Sequence, residues 1–314
     1  MSQSSLPVRD LLLALAVVFV WGTNFVVIRL GLNALPPLLF ASLRFTFVLL
    51  PMVFFLPRPW SVRGSGSDQN KVPFANLAIY GLAIGLGQFG LLFIAMNGLI
   101  SPGLASLVVQ MQVFFTIALS MFRSGERLKP HQLGAIALAI AGIGLIMAHN
   151  GKGATIAGLA LTLGAAASWA LANQCAKEAG KVNPLAYVVW ASLFSLPPLY
   201  LLSLWREGWP AIAAGLSHAT LATWAVVIWQ SVGNTMFGYG VWAWLLARHP
   251  AATVSPLSLL VPVFGFAASA LILGEPLEAW KIEAGLLVMG GLALNLLWGR
   301  RKAAFTPVPE RSPS

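Results

Sequence analysis

Charge is scarce in this sequence. Nineteen basic and nine acidic side chains make up 9% of 314 residues, against about 25% in a water-soluble domain. Hydrophobic residues make up 58%, so the chain cannot present a polar skin to water on every side. Its main solvent is lipid. Cysteine is nearly absent as well. Cys175 alone excludes an intramolecular disulfide framework and leaves no cysteine cluster for a metal. Acids are missing from the middle of every long apolar run. Asp10, Asp68, Glu126, Glu178, Glu207, Glu275, Glu278, Glu283 and Glu310 all fall at run ends or in connections, as do the four histidines. That inventory excludes the common intramembrane enzymes: there is no H-E-x-x-H, no paired mid-span aspartate and no Ser/His pair at one depth. It calls for no cofactor and no metal.

What is present is length without polarity. Apolar runs of about 17 to 25 residues can cross a hydrocarbon core as helices. Ten such runs are legible: 11–32, 36–56, 74–97, 102–122, 130–148, 155–177, 184–205, 219–246, 251–273 and 278–298. Unsatisfied backbone groups are too costly in lipid for open sheet. A barrel would alternate in polarity, and "LGAIALAIAGIGLIM" does not. The expected fold is an all-α integral membrane protein of ten helices. The first run lacks a cleavage site and reads as an uncleaved span.

The basic residues set an orientation. With the N-terminus in the cytoplasm, fourteen of the nineteen Lys and Arg lie on that side. Three (Lys152, Arg206, Lys281) lie opposite, and Arg29 and Arg44 stay inside spans. The net charge of +10 is thus a topology signal, and no nucleic-acid partner is needed. Both termini are expected in the cytoplasm of a bacterium, with the chain in its inner membrane. The connection 58–71 reads as flexible and the tail 303–314 as disordered. Neither has room for a soluble catalytic domain.

The chain also repeats. "GERLKPHQLGAIALAIAGIGL" (125–145) slides onto "GEPLEAWKIEAGLLVMGGLAL" (274–294) at a shift of 149, with Glu126 on Glu275 and Gly142 on Gly291. Ser106 meets Ser255 at that shift, and Trp21 meets Trp169 at 148. Two halves follow, 1–150 and 151–302. Each holds five spans, an odd number, so the second enters the membrane upside down. Inverted repeats around a mid-membrane site are a transporter architecture. The segments "WGTNFVVIRLGL", "PPLLFASLRF", "PGLASLVVQMQVFFTI", "GERL" and "SPLSLLVPVFGFAASALILGE", in this order and at repeat spacing, resemble the EamA-type drug/metabolite transporter family. Within it the likeness is to bacterial inner-membrane exporters of cysteine and O-acetylserine. The resemblance implies ten helices, cytoplasmic termini and efflux of small metabolites, often amino acids. Small multidrug antiporters carry a glutamate in their first helix; "LLLALAVVFV" has none.

Polar residues inside spans usually face protein or a water-filled path. Trp21 and Asn24 share one helix face, and Trp169 and Asn173 form a similar pair in the sixth span. They either flank a central cavity or tie helices together by hydrogen bonds. Arg44 is nearly mid-span and needs carbonyls, a cavity or a substrate carboxylate. Arg29 can reach the outer interface. Gln88, Gln110 and Gln112 offer carboxamides to a zwitterion, although Gln110 and Gln112, two apart, should not share a face. Asn234, Tyr239 and Trp242 in the eighth span are similar candidates, with packing the competing role for the aromatics. Ser258, beside Pro256 and Pro262, lies where the ninth helix should break. Gly81 and Gly85 suit close helix packing, Cys175 packing, and Glu126 and Glu275 the tying of helix ends. The expected function is a secondary transporter exporting small neutral amino acids or related metabolites. The alternatives are an exporter or permease of another organic metabolite, and a non-transporting scaffold. The implied partners are a small-molecule substrate and membrane lipid; association with further copies of the chain stays open.

Overall fold

Prolines mark where the helices begin. In the computed structural model Pro37, Pro102, Pro130 and Pro184 each occupy a first helical position, where a missing N–H costs nothing and φ is already helical. The structure describes residues 6–59, 72–124, 129–180 and 182–304. Residues 60–71 of the long connection, 125–128 with Glu126, Lys181 and 305–314 of the tail lie outside these. Among the described residues nine helices are long and apolar enough to span a membrane: α1 (Val8–Leu32), α2 (Pro37–Phe54), α3 (Phe74–Met96), α4 (Pro102–Phe122), α5 (Pro130–Ala148), α6 (Ile156–Ala179), α7 (Pro184–Arg206), α9 (Ser255–Leu273) and α10 (Ala279–Leu296). The remaining crossing is α8 (Leu221–Arg248), preceded at a 105° bend by the short helix Gly208–Ser217. That short helix is absent from the sequence reading. Ten residues cover only about 15 Å, too little to span, so a reading by span-length apolar runs leaves it in the connection between 205 and 219.

The packing repeats under exchange of the halves. α1 lies along α9, and α6 lies along α4; α3 packs on α6, and α8 on α1. α2 meets α7, α4 meets α9 and α5 meets α10. These last three pairs join equivalent helices, so the axis relating the repeats passes between them. Small residues allow the close crossings. A Cβ on Gly22 of α1 would stand 2.6 Å from the Val261 carbonyl oxygen of α9, and one on Gly85 of α3 would stand 2.2 Å from Ser195 Cβ of α7. The glycine pair in α3 is therefore a packing notch for α7, where Ser195 Oγ also donates to Gly81 O at 2.7 Å.

Regular α geometry fails at matched places in the two repeats. α3 is π-helical over Leu82–Gly90 and α8 over Trp229–Phe237. α4 tightens to 3₁₀ over Val109–Met111 and α9 over Ser255–Leu259. Such stretches change which side chains share a face, and π segments concentrate at functional sites.

Candidate functional site

The irregular stretches border one cavity of about 560 Å³ between the repeats. Its wall reaches Gly180, Val182 and Pro184 at the end where the chain begins, and stops short of the connections at the far end. The size suits a small molecule. Trp21, Asn24, Gln88, Gln110, Gln112, Trp169, Asn173, Asn234, Tyr239 and Ser258 all line it. Gln110 and Gln112 both do so, contrary to the expectation from α-helical spacing. The 3₁₀ turn at Val109–Met111 advances three residues per turn, which brings positions two apart closer in angle.

Among the described residues no Asp, Glu, Lys, Arg or His lies on this wall. Its aromatic part is a cage: the Trp21 ring lies 5.7 Å from Tyr239 and 5.2 Å from Trp242. Trp21 Nε1 donates to the Asn234 carbonyl at 3.3 Å, freed by the π segment. Asn173 Nδ2 donates to Gln112 Oε1 at 2.8 Å. Gln110 Nε2 reaches Ser258 O, in the equivalent 3₁₀ turn, at 3.5 Å. Ser258 Oγ itself bonds back to Ser255 O at 2.7 Å. Two acceptors are left over. Asn24 Oδ1 and Gln88 Oε1 are buried with no hydrogen-bond partner. Buried polar atoms are ordinarily paired; these two oxygens are the buried unpaired acceptors on residues of the wall.

Arg44 is placed elsewhere. It does not line the cavity and is fully buried. Nη1 donates to Gln230 Oε1 and Nη2 to Thr235 Oγ1, each at 2.8 Å, and the guanidinium carbon sits 3.6 Å from the Phe89 ring centroid. Substrate contact through Arg44 is therefore not available in this conformation; the second repeat supplies its partners. Gln230, Thr235 and Phe89 escaped the sequence reading. The one pointer to them was that a mid-span cation must have neighbours.

A second polar cluster closes the far end. Glu275 accepts from Ser101 Oγ at 2.5 Å, Gly103 N at 3.3 Å, Lys281 Nζ at 3.1 Å, and Ser269 Oγ. Ser101 and Gly103 belong to the first repeat, so the carboxylate caps α4 across the repeat boundary. Burial pushes the Glu275 carboxyl up, but the Ser101 and Ser269 hydroxyls and the Lys281 ammonium outweigh it and hold the group below the ordinary carboxyl range. Glu207 does similar work for α2, accepting from Leu38 N at 2.5 Å and Leu39 N at 3.0 Å. A recess of about 470 Å³ lies at this end, and half-buried Arg29 borders it. Among the described residues no group of His, Cys, Asp and Glu could hold a metal.

The sequence profile of the EamA-like transporter family matches residues 9–148 and again residues 156–297. The chain belongs to this family. An EamA fold explains the two inverted five-helix repeats, and the protein is a multi-pass membrane transporter that exports small metabolites. Two similar proteins are named as probable amino-acid metabolite efflux pumps. That of Salmonella typhimurium is 42% identical, covering 92% of this chain and 95% of its own. That of Escherichia coli is 41% identical, covering 94% and 97%. A probable terminal-alkyne amino-acid exporter of Streptantibioticus cattleyicolor is 25% identical over 92% of this chain and 95% of its own. A solved crystal structure aligns over 97% of this chain and 99% of its own with a TM-score of 0.62 at 19% identity; that likeness is one of fold.

Proposed function

We propose that the central cavity is the substrate path of an exporter of small neutral amino acids or closely related metabolites, working by alternating access in the bacterial inner membrane. The observation that carries this reading is the wall itself: no fixed charge among the described residues, a tryptophan-rich cage, and the unpartnered oxygens of Asn24 and Gln88. Carboxamide oxygens accept hydrogen bonds from an ammonium group, and carboxamide N–H groups donate to a carboxylate. A neutral wall of this kind accommodates both ends of a zwitterion without a net charge of its own. In this reading Asn24 and Gln88 take the ammonium, Gln110, Gln112 and Asn173 face the carboxylate, and Trp21, Trp169 and Tyr239 hold the apolar part. The names of the two pumps similar to this chain agree with that substrate class.

The fourteen-to-three distribution of basic residues supports placing the chain's beginning, and so the cavity mouth, in the cytoplasm. The conformation is then inward-facing, with Glu275 and Glu207 holding the outer end shut. The test is purified protein in proteoliposomes, loaded with a panel of radiolabelled neutral amino acids that includes cysteine and O-acetylserine. Saturable efflux of members of the panel is expected. Efflux of none of them, with another organic metabolite moved instead, would sink the substrate class.

A further inference from the structure

We infer that Arg44 sets the charge selectivity of the transport cavity: a buried guanidinium without a counter-ion, stacked behind a wall residue, disfavours substrates of net positive charge. The inference rests on the cavity being the substrate path.

Arginine keeps its proton under any ordinary condition, so this charge is permanent. Its compensation is incomplete. Gln230 Oε1 and Thr235 Oγ1 are neutral acceptors, while Arg44 Nε and Gln230 Nε2 are buried donors with no partner. No carboxylate among the described residues pairs with Arg44. Asp10 binds His249, Glu178 accepts from Gln174, Glu207 caps α2, Glu275 pairs with Lys281 and Glu278 accepts from Trp280. All of these sit at helix ends.

The cavity lies one ring away. Phe89 lines the wall, and the guanidinium lies 3.6 Å from its centroid. The intervening material is apolar protein, where charges act over longer distances than in salt water. Among the described residues the wall carries no ionised side chain to offset the field. The cavity is therefore electropositive on the Phe89 side. A zwitterion brings no net charge into this field, whereas a second ammonium is opposed. Discrimination of roughly tenfold per unit charge corresponds to about 1.4 kcal/mol, well within what a charge at this range delivers.

Gln230→Glu is the decisive variant. Its shape is unchanged, the oxygen that already accepts from Nη1 stays, and the unpartnered Nε2 becomes an acceptor. Arg44 gains a counter-ion without being touched. Binding is read in proteoliposomes as protection of Ala176→Cys, at the exposed cavity mouth, from a water-soluble thiol reagent in a Cys175→Ala background. The probes are norvaline and ornithine, which differ by one terminal ammonium. In the parent, norvaline should protect at least tenfold better than ornithine. Gln230→Glu should shrink that ratio about tenfold while norvaline protection changes less than about threefold. An unchanged ratio with intact norvaline protection overturns the inference and leaves the cavity reading standing. If norvaline fails to protect the parent, the cavity reading fails and takes the inference with it. Thr235→Asp supplies the counter-ion from the other acceptor if Gln230→Glu does not accumulate. Failure of both to accumulate counts against an uncompensated cation and overturns the proposal.

Discussion

At the far end Glu275 has four donors around its two oxygens, whereas in the cavity Asn24 and Gln88 leave an acceptor each with none. Both sets are buried among helices of the two repeats. In the proposed reading the difference separates polar groups that hold a fold from polar groups that wait for a ligand. A satisfied buried network rigidifies what it joins. An unsatisfied group costs stability until something binds it, and that is where a protein departs from its own local rules for function. Substitutions at the two places should therefore fail in opposite ways.

The largest effect is expected from Glu275→Ala. It strands Lys281, whose side chain is 3% exposed, and breaking a buried pair on one side costs about 3–5 kcal/mol. A marked fall in melting temperature and near-complete loss of export are expected, read by thermal unfolding in detergent and by efflux. The paired group also gives the parent an acid limit. Because the folded carboxyl is held below its ordinary value of 4.5, its contribution is present at neutral pH and above, and is lost as pH falls through the depressed value. Glu275→Gln should be less stable at neutral pH and lack that acid transition. Equal melting of Glu275→Ala and parent would erase the contrast.

Next come Asn24→Leu and Gln88→Leu. Losing a hydrogen bond to a charged group costs about 1.5–3 kcal/mol, so apparent affinity for the exported amino acid should fall about 10- to 100-fold. Melting temperature should hold or rise, because the leucine removes a buried atom that had no partner. A drop in melting with unchanged affinity would make these residues structural. The smallest effect is expected at the cavity end, where Asp10 holds His249 Nε2 at 2.6 Å with both side chains partly exposed. Asp10→Asn should cost under about 1 kcal/mol, with export within about twofold of the parent.

Much of this was legible in the sequence because lipid enforces it. Ten apolar runs become ten crossings since nothing else satisfies backbone groups in hydrocarbon. Repeat-spaced tryptophans and asparagines converge because a duplicated face turns toward the shared axis. Legibility ended where geometry departs from the regular helix. Nothing in "LAIGLGQFG" or "WQSVGNTMF" announces π pairing, so Gln230 and Thr235 could not be matched to Arg44. The 3₁₀ turn likewise put both Gln110 and Gln112 on the wall. Short helix Gly208–Ser217 was missed because ten residues are too few to register as a span, and the segment fell in the connection between two runs.

The near-symmetry has a consequence best put in terms of copies. Two identical five-helix subunits meeting around the same axis would form an isologous dimer, and every substitution in them would be made twice. A single chain makes it once. Gln110 and Ser258 meet from the 3₁₀ turns of the two repeats, yet at the shift of 149 that sets Ser106 on Ser255 their counterparts are Leu259 and Val109, so the two turns have diverged in chemistry. For Arg44, shifts of 147 to 150 place its counterpart at Ala191, Ser192, Leu193 or Phe194, none of them ionisable. A dimer would bury two such cations around its axis; this chain buries one, on one side of the path, and fills the other side with neutral packing. Covalent fusion of the repeats is thus what permits a directional electric field inside an otherwise symmetric fold.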